Sequence, residues 1–384
     1  MRTILLIFFL TLLSCDAIHN LPNDSDTTGN ESFALVENVS TPLAMPMSLA
    51  KDPNSEFYFV ALKGQGVTTY KRINGLSKKV SNIGIEKFNN LHTMDMVKEG
   101  DYLYVALGDF FRPKSKYGAA IIDISNPEVP KVTDVWVSKV EKKGSAVIRV
   151  QGNHVFLGAM TEGVLTFKLS EKKTLTLLST YQPDIHFPIS NPNSVQHPNA
   201  RGMALEGDIM FLCNDAGGIR TIDISNKKDL KEIGRYINTS KNMKQQAYNN
   251  VVVDGNYAYA ATDYCGMEVI DISDPKNMKL VGWWNPWNCD TTQNNWFNSD
   301  GHSNQIVLNA QKKRIYISTG KSELNIINVN SPTNPESILN YGIVENKKAT
   351  WGLHVSNDDI YLLYITSVIP FQANWAGVKI LKEK

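Results

Sequence analysis

The chain repeats itself seven times. An eight-residue segment, clearest as Gly-x-x-x-Ile-Asp-Ile-Ser, begins at Gly66, Gly118, Gly163, Gly218, Gly266, Glu323 and Gly377, so successive copies start 45 to 57 residues apart. A unit of about 50 residues is longer than a helical pair needs and fits one four-stranded blade of a β-propeller. Each copy follows a β-type apolar or aromatic run, at 57–62, 102–107, 155–159, 209–213, 257–261, 315–318 and 360–364. A further apolar strand precedes that run, joined to it by tight turns such as Glu206-Gly207-Asp208 and Asp254-Gly255-Asn256. A fourth strand follows, as at 279–284, so the unit reads as four antiparallel strands, a to d.

The last unit stops after strand c, while residues 33–40 form a spare strand-like stretch ahead of the first unit. If that stretch supplies the missing d strand, the two ends of the chain close the ring and no sheet edge is left open at the seam. The expected fold is therefore all-β, a seven-bladed β-propeller over 33–384, with an open solenoid or a six-bladed ring plus a hairpin as alternatives. Blades bury their faces only against neighbours, so the ring should be one domain.

The copies Gly218-Ile219-Arg220-Thr221-Ile222-Asp223-Ile224-Ser225 and Gly266-Met267-Glu268-Val269-Ile270-Asp271-Ile272-Ser273 resemble the LVIVD repeat of bacterial and archaeal surface β-propellers. That resemblance implies a propeller fold and no particular reaction. The aspartate is replaced by Lys71, Lys168, Lys382 and Asn328 in four units, which marks Asp123, Asp223 and Asp271 as turn-fixing acceptors rather than catalytic groups.

Ahead of the ring, Arg2 and an apolar run over 4–13 have the length of a signal-peptide core, too short to span a bilayer as a helix. Leu12-Leu13-Ser14-Cys15 resembles a bacterial lipobox, which implies a signal peptide over 1–14 and a lipid on Cys15; an ordinary secretory signal is the alternative. Residues 15–32 are polar and read as a flexible tether. The expected location is the cell envelope, lipid-anchored and extracytoplasmic, in either leaflet. With 39 basic against 38 acidic side chains, the chain lacks the charge of a general nucleic-acid binder.

In an a-b-c-d blade the b–c and d–a connections emerge on one face. The long insertions at 109–117, 183–199, 285–301 and 366–376 all belong to those two classes, so they crowd one rim. Loops on a rigid scaffold are where binding residues collect. Four of the seven tryptophans, Trp283, Trp284, Trp287 and Trp296, fall there among several asparagines, an arrangement that suits a sugar ring or an extended peptide. Trp287, Trp296, Phe111, Arg112, Trp351 and Trp375 are the candidate ligand-binding residues; Trp283 and Trp284 also read as strand-end packing. His92, Arg201, Tyr248 and His302 enter strand a at the channel mouth and are the catalytic candidates of a competing reading, a polysaccharide-active hydrolase or lyase using a rim aspartate. Asp215 and Asp263 occupy matching b–c turns and read as turn-forming side chains. No compact metal-binding spacing occurs, and no cofactor or metal is expected. Cys265 and Cys289 share a rim and a blade, so an oxidising compartment would permit a disulfide; free thiols or a metal pair remain open. A third class is a surface module with no small ligand.

Overall fold

In a computed structural model, which describes residues 32–171, 173–193, 196–241, 247–292, 298–368 and 371–384, the chain forms seven four-stranded antiparallel sheets and one short two-stranded ribbon. Six blades are continuous, the first being Ser48–Lys51, Phe57–Ala61, Val67–Ile73 and Leu76–Ile83. The seventh is assembled from both ends of the chain: Thr350–Ser356, Asp359–Tyr364 and Gly377–Glu383 are followed in the sheet by Phe33–Ser40.

A shared irregularity shows that this split blade is a true copy. In each of the other six blades strand d bulges opposite the fourth and fifth residues of the repeat, as between Thr221 and Ile222 and between Val269 and Ile270. In the seventh the same bulge falls between Leu35 and Glu37, opposite Leu381 and Ile380. A bulge sharpens local twist, and here it bends every outer strand at one height.

Beyond their first residue the b strands are buried throughout, because both of their faces are covered. Leu103, Val105 and Leu107 pack toward blade 1, while Tyr104 and Ala106 pack toward blade 3. One apolar cluster fills each of the seven seams between blades, and an eighth lies at the channel. Asp123, Asp223 and Asp271 each accept the backbone N–H two residues on, at 2.8 to 2.9 Å, which turns the chain from strand c toward strand d.

The third repeat position carries charge deep in the seams. Arg220, Glu268 and Lys379 are fully buried, and each meets an opposite charge: Glu232 at 3.1 Å, Lys241 at 2.7 Å and Glu323 at 3.9 Å. Glu268 also accepts hydrogen bonds from Tyr248 (2.9 Å), Tyr236 (3.2 Å) and Asn238 (2.9 Å), so its charge is compensated from both blades.

Candidate binding site on the insertion-rich face

Where strand b meets the loop to strand c, five blades place one residue in a positive-φ conformation: Lys63, Gly108, Met160, Asp215 and Gly320. Four of these pair in single bridges with the start of the next blade, as Lys63 with Thr93 and Asp215 with Tyr248. In blade 5 the corresponding carbonyl, that of Asp263, accepts from Ser303 N–H at 2.7 Å. This stitching holds one residue in each of five blades around the mouth of the central channel.

An apolar plug fills part of that mouth. Met47, Met94, Phe110, Met160, Trp351 and Ile365 are buried together, with Phe111 partly buried against them. The Arg201 guanidinium lies 5.3 Å from the centre of the Phe110 ring and 5.9 Å from Trp351. Phe111 meets Trp351 edge-on at 5.0 Å and carries Lys63 Nζ 4.9 Å above its ring.

Polar groups surround the plug. Asp109 lies 3.2 Å from Lys63 Nζ, 3.1 Å from His92 Nδ1 and 3.3 Å from Arg112 Nε. Burial works against its ionisation, yet His92, Lys63 and the Phe111 N–H hold its carboxyl below the usual range. Across the channel His302 Nε2 sits 2.6 Å from Asp263 Oδ1, which also accepts from Asn249 Nδ2 at 2.8 Å. There too burial opposes ionisation, but His302 outweighs it and the Asp263 carboxyl stays low. Asp215 accepts from Asn199 Nδ2 at 2.7 Å, and burial raises its carboxyl above the ordinary range against the pull of Arg201. The expectation of turn-forming side chains at Asp215 and Asp263 is therefore corrected: both carboxylates bind groups from strand a or the loop before it, not their own turn.

Farther out on the same face, between blades 5 and 6, a cavity of about 390 Å³ is lined by Trp284, Trp287, Asp300, Asn325, Asn340 and Glu345, among others. Trp287 stands edge-on to Trp284 at 5.7 Å and covers Gly301, where a Cβ would lie 1.8 Å from the indole. Cys265 and Cys289 are joined in a disulfide with Cα atoms 5.0 Å apart. Trp283 Nε1 donates to the Cys265 carbonyl at 2.8 Å, and Asn285 Oδ1 accepts the Cys289 N–H at 2.8 Å, so the base of the tryptophan loop is fixed on both sides.

The sequence candidates thus divide. His92, Arg201, Phe111, Arg112 and Trp351 come together at the mouth, His302 joins them through Asp263, and Trp287 lines the outer cavity. Three are too buried to meet a ligand directly: Trp351, 5% exposed, lies within the apolar plug, and the other two pack in seams between blades. Tyr248 is fully buried in the seam between blades 4 and 5 with its hydroxyl on Glu268, and Trp375, 5% exposed, packs against Tyr364 beneath Lys348 and Lys379. Trp296 and Cys15 lie outside the described residues. Asn325, Asn340 and Glu345 line the cavity without having been singled out; their only signal was position, the asparagines near the ends of strands c and d of blade 6 and Glu345 in the short 3-10 turn that follows. Among the described residues no three histidine, cysteine or carboxylate side chains form a metal-ligating group.

The LVIVD repeat model matches residues 92–134, 199–238 and 247–285, which are blades 2, 4 and 5. The chain is a seven-bladed β-propeller that carries LVIVD repeats in three of its blades. The WD40 repeats of RRP9 superpose with a TM-score of 0.65 at 11% identity, covering 93% of this chain and 98% of that one. A chain from the mitotic checkpoint complex gives 0.60 at 12% identity, covering 100% and 99%, and the computationally designed Ika8 protein gives 0.54 at 8%, covering 91% and 99%. These likenesses speak to the fold alone. Comparison with curated proteins found no match.

Proposed function

We propose that this LVIVD propeller is a cell-envelope binding protein, tethered by a lipid on Cys15, that holds a glycan on its insertion-rich face. The observation that carries the reading is the cavity between blades 5 and 6, where Trp284 and Trp287 meet Asn325, Asn340, Asp300 and Glu345. Aromatic faces cover the apolar side of a sugar ring, and amides and carboxylates engage its hydroxyls in fixed directions. The disulfide and the Trp283 hydrogen bond hold this wall in place before a ligand arrives, which lowers the entropic cost of binding. An extended peptide is the other ligand class that the same mixture accommodates.

The test is a glycan array probed with the soluble ring, residues 30–384, and with Trp287→Ala. Retention of one glycan class that drops at least tenfold in the variant, with the melting temperature unchanged, is the expected result. Equal retention by both proteins removes the cavity from the account. For the anchor, mass spectrometry of the membrane fraction should find a diacylglyceryl group on Cys15; an unmodified Cys15 refutes it.

One observation favours a second reading. The His302–Asp263 pair at the channel mouth, 2.6 Å apart, is an imidazole held by a carboxylate, the arrangement a general base requires. Polysaccharide cleavage that vanishes in His302→Ala would establish an enzyme.

A further inference from the structure

The channel mouth contains a cation whose position is fixed while its hydrogen-bonding capacity is unspent. The Arg201 guanidinium lies over the Phe110 and Trp351 rings, 5.3 and 5.9 Å from their centres, which holds the cation at the mouth. Among the described residues this guanidinium makes no side-chain hydrogen bond and no ion pair. The nearby carboxylates are already engaged: Asp263 by His302 and Asn249, Asp215 by Asn199, and Asp109 by Lys63, His92 and Arg112. A second cation, Lys143, belongs to the same rim: its backbone bridges to Ser115 in the loop after strand b of blade 2, and the adjoining Gly144 lies against Gly108 and Asp109. Burial pushes the Lys143 amine below the ordinary lysine range against the pull of Asp215, and Arg201 adds to the push. An anion placed between Lys143 and Arg201 would relieve that repulsion.

We infer that the channel mouth is a carboxylate-binding site, with Arg201 as its planar fork and Lys143 as its second charge, and that the glycan taken by this face is acidic. The assignment rests on the glycan reading above. A guanidinium offers two parallel N–H donors to a carboxylate, and the aromatic rings beside Arg201 take none of them as a full hydrogen bond. The mouth and the outer cavity share a wall: Asp300 lines the cavity, Gly301 lies under Trp287, and His302 binds Asp263. A chain carrying uronate units can therefore set a neutral face against Trp287 and a carboxylate at Arg201. The carboxylates of Asp300 and Glu345 bias the cavity itself against acid, which assigns the acidic unit to the mouth.

The experiment titrates uronate oligosaccharides derived from polygalacturonate, alginate and glucuronan, each beside its carboxyl-reduced form, into wild type, Arg201→Gln, Arg201→Lys, Lys143→Gln and Trp287→Ala. At least one acidic oligosaccharide should bind wild type ten or more times tighter than its reduced form. Arg201→Gln should remove that preference, Arg201→Lys should restore part of it, and Lys143→Gln should weaken it about threefold. The wild-type comparison keeps the test valid if an Arg201 variant fails to fold. Equal affinity for acidic and reduced forms, with Trp287→Ala still weakening both, overturns the carboxylate site and leaves the glycan reading standing. Binding of no oligosaccharide overturns both. Arg201-dependent binding of peptides through their C-terminal carboxylate, with no sugar bound, overturns the acidic-sugar assignment.

Discussion

Removing the Cys265–Cys289 link with paired serine substitutions should destabilise the whole ring by an amount that its loop length sets. The bond closes a segment with a sequence separation of 24, running through strands c and d of blade 5 into the tryptophan loop. The loop-closure relation gives about 3.5 kcal/mol for that length, most of it from freedom returned to the unfolded chain. A cooperative domain of about 350 residues has an unfolding entropy near 0.7 kcal/mol per degree, so the melting temperature should fall by about 4 to 5 °C. Differential scanning calorimetry of the wild type, the Cys265→Ser, Cys289→Ser double variant and the reduced, alkylated protein measures this directly. Both treated forms should melt lower by a similar amount, and peptide mapping of the untreated protein should recover the two cysteines as one linked species. Melting within 1 °C of wild type, or two separately alkylated peptides without reductant, refutes the reasoning.

Three further outcomes follow from packing and charge. Phe33→Ala should cost about 3 kcal/mol by urea unfolding, because Phe33 is buried at the start of the closing strand and meets Tyr341 edge-on at 5.7 Å; a loss below 1 kcal/mol contradicts closure by that strand. Glu268→Gln should cost about 3 to 5 kcal/mol, since it leaves the Lys241 charge buried without its partner; Glu268→Gln combined with Lys241→Met should recover part of the loss, and no recovery speaks against the pair. Burial pushes the His354 imidazole down to about 4, with Lys51 adding to the shift. The unfolded chain then takes up this proton first, so stability should fall by up to about 3 kcal/mol as pH drops from about 6.5 to about 4. His354→Gln should flatten that slope, and an unchanged slope refutes the assignment.

The fold was legible because one constraint was written seven times. Gly218 to Ser225 and its copies give the period, and uninterrupted apolar runs such as Tyr102–Leu107 announce strands buried on both faces. Closure was legible from a deficit, since the last unit lacks a strand and Phe33–Ser40 is left over. The common bulge in strand d was not, because it follows from twist between strands and no residue type marks it. The binding face was legible as a face, through loop lengths, but less so as a set of contacts. Phe110 and Trp351 meet although 241 residues separate them in the sequence, and local pattern carries no trace of such convergence. Tyr248 misled for a related reason. Its place at the start of strand a resembles that of Arg201, yet the seam below it holds Glu268 in one blade and not the next, and the hydroxyl follows the buried carboxylate. Asp215 and Asp263 misled because turn spacing favours a local hydrogen bond, whereas the ring brings Asn199, Asn249 and His302 closer.

The claim that binding belongs to the insertion-rich face is tested most directly by hydrogen–deuterium exchange with and without the best-retained oligosaccharide of the array at saturating concentration. Slower exchange should be confined to 285–291, 298–302 and 343–346 together with the channel-mouth segments near 109–112 and 201. Protection that falls instead on the opposite turns, such as 226–229 and 274–277, or no retained oligosaccharide at all, contradicts the account.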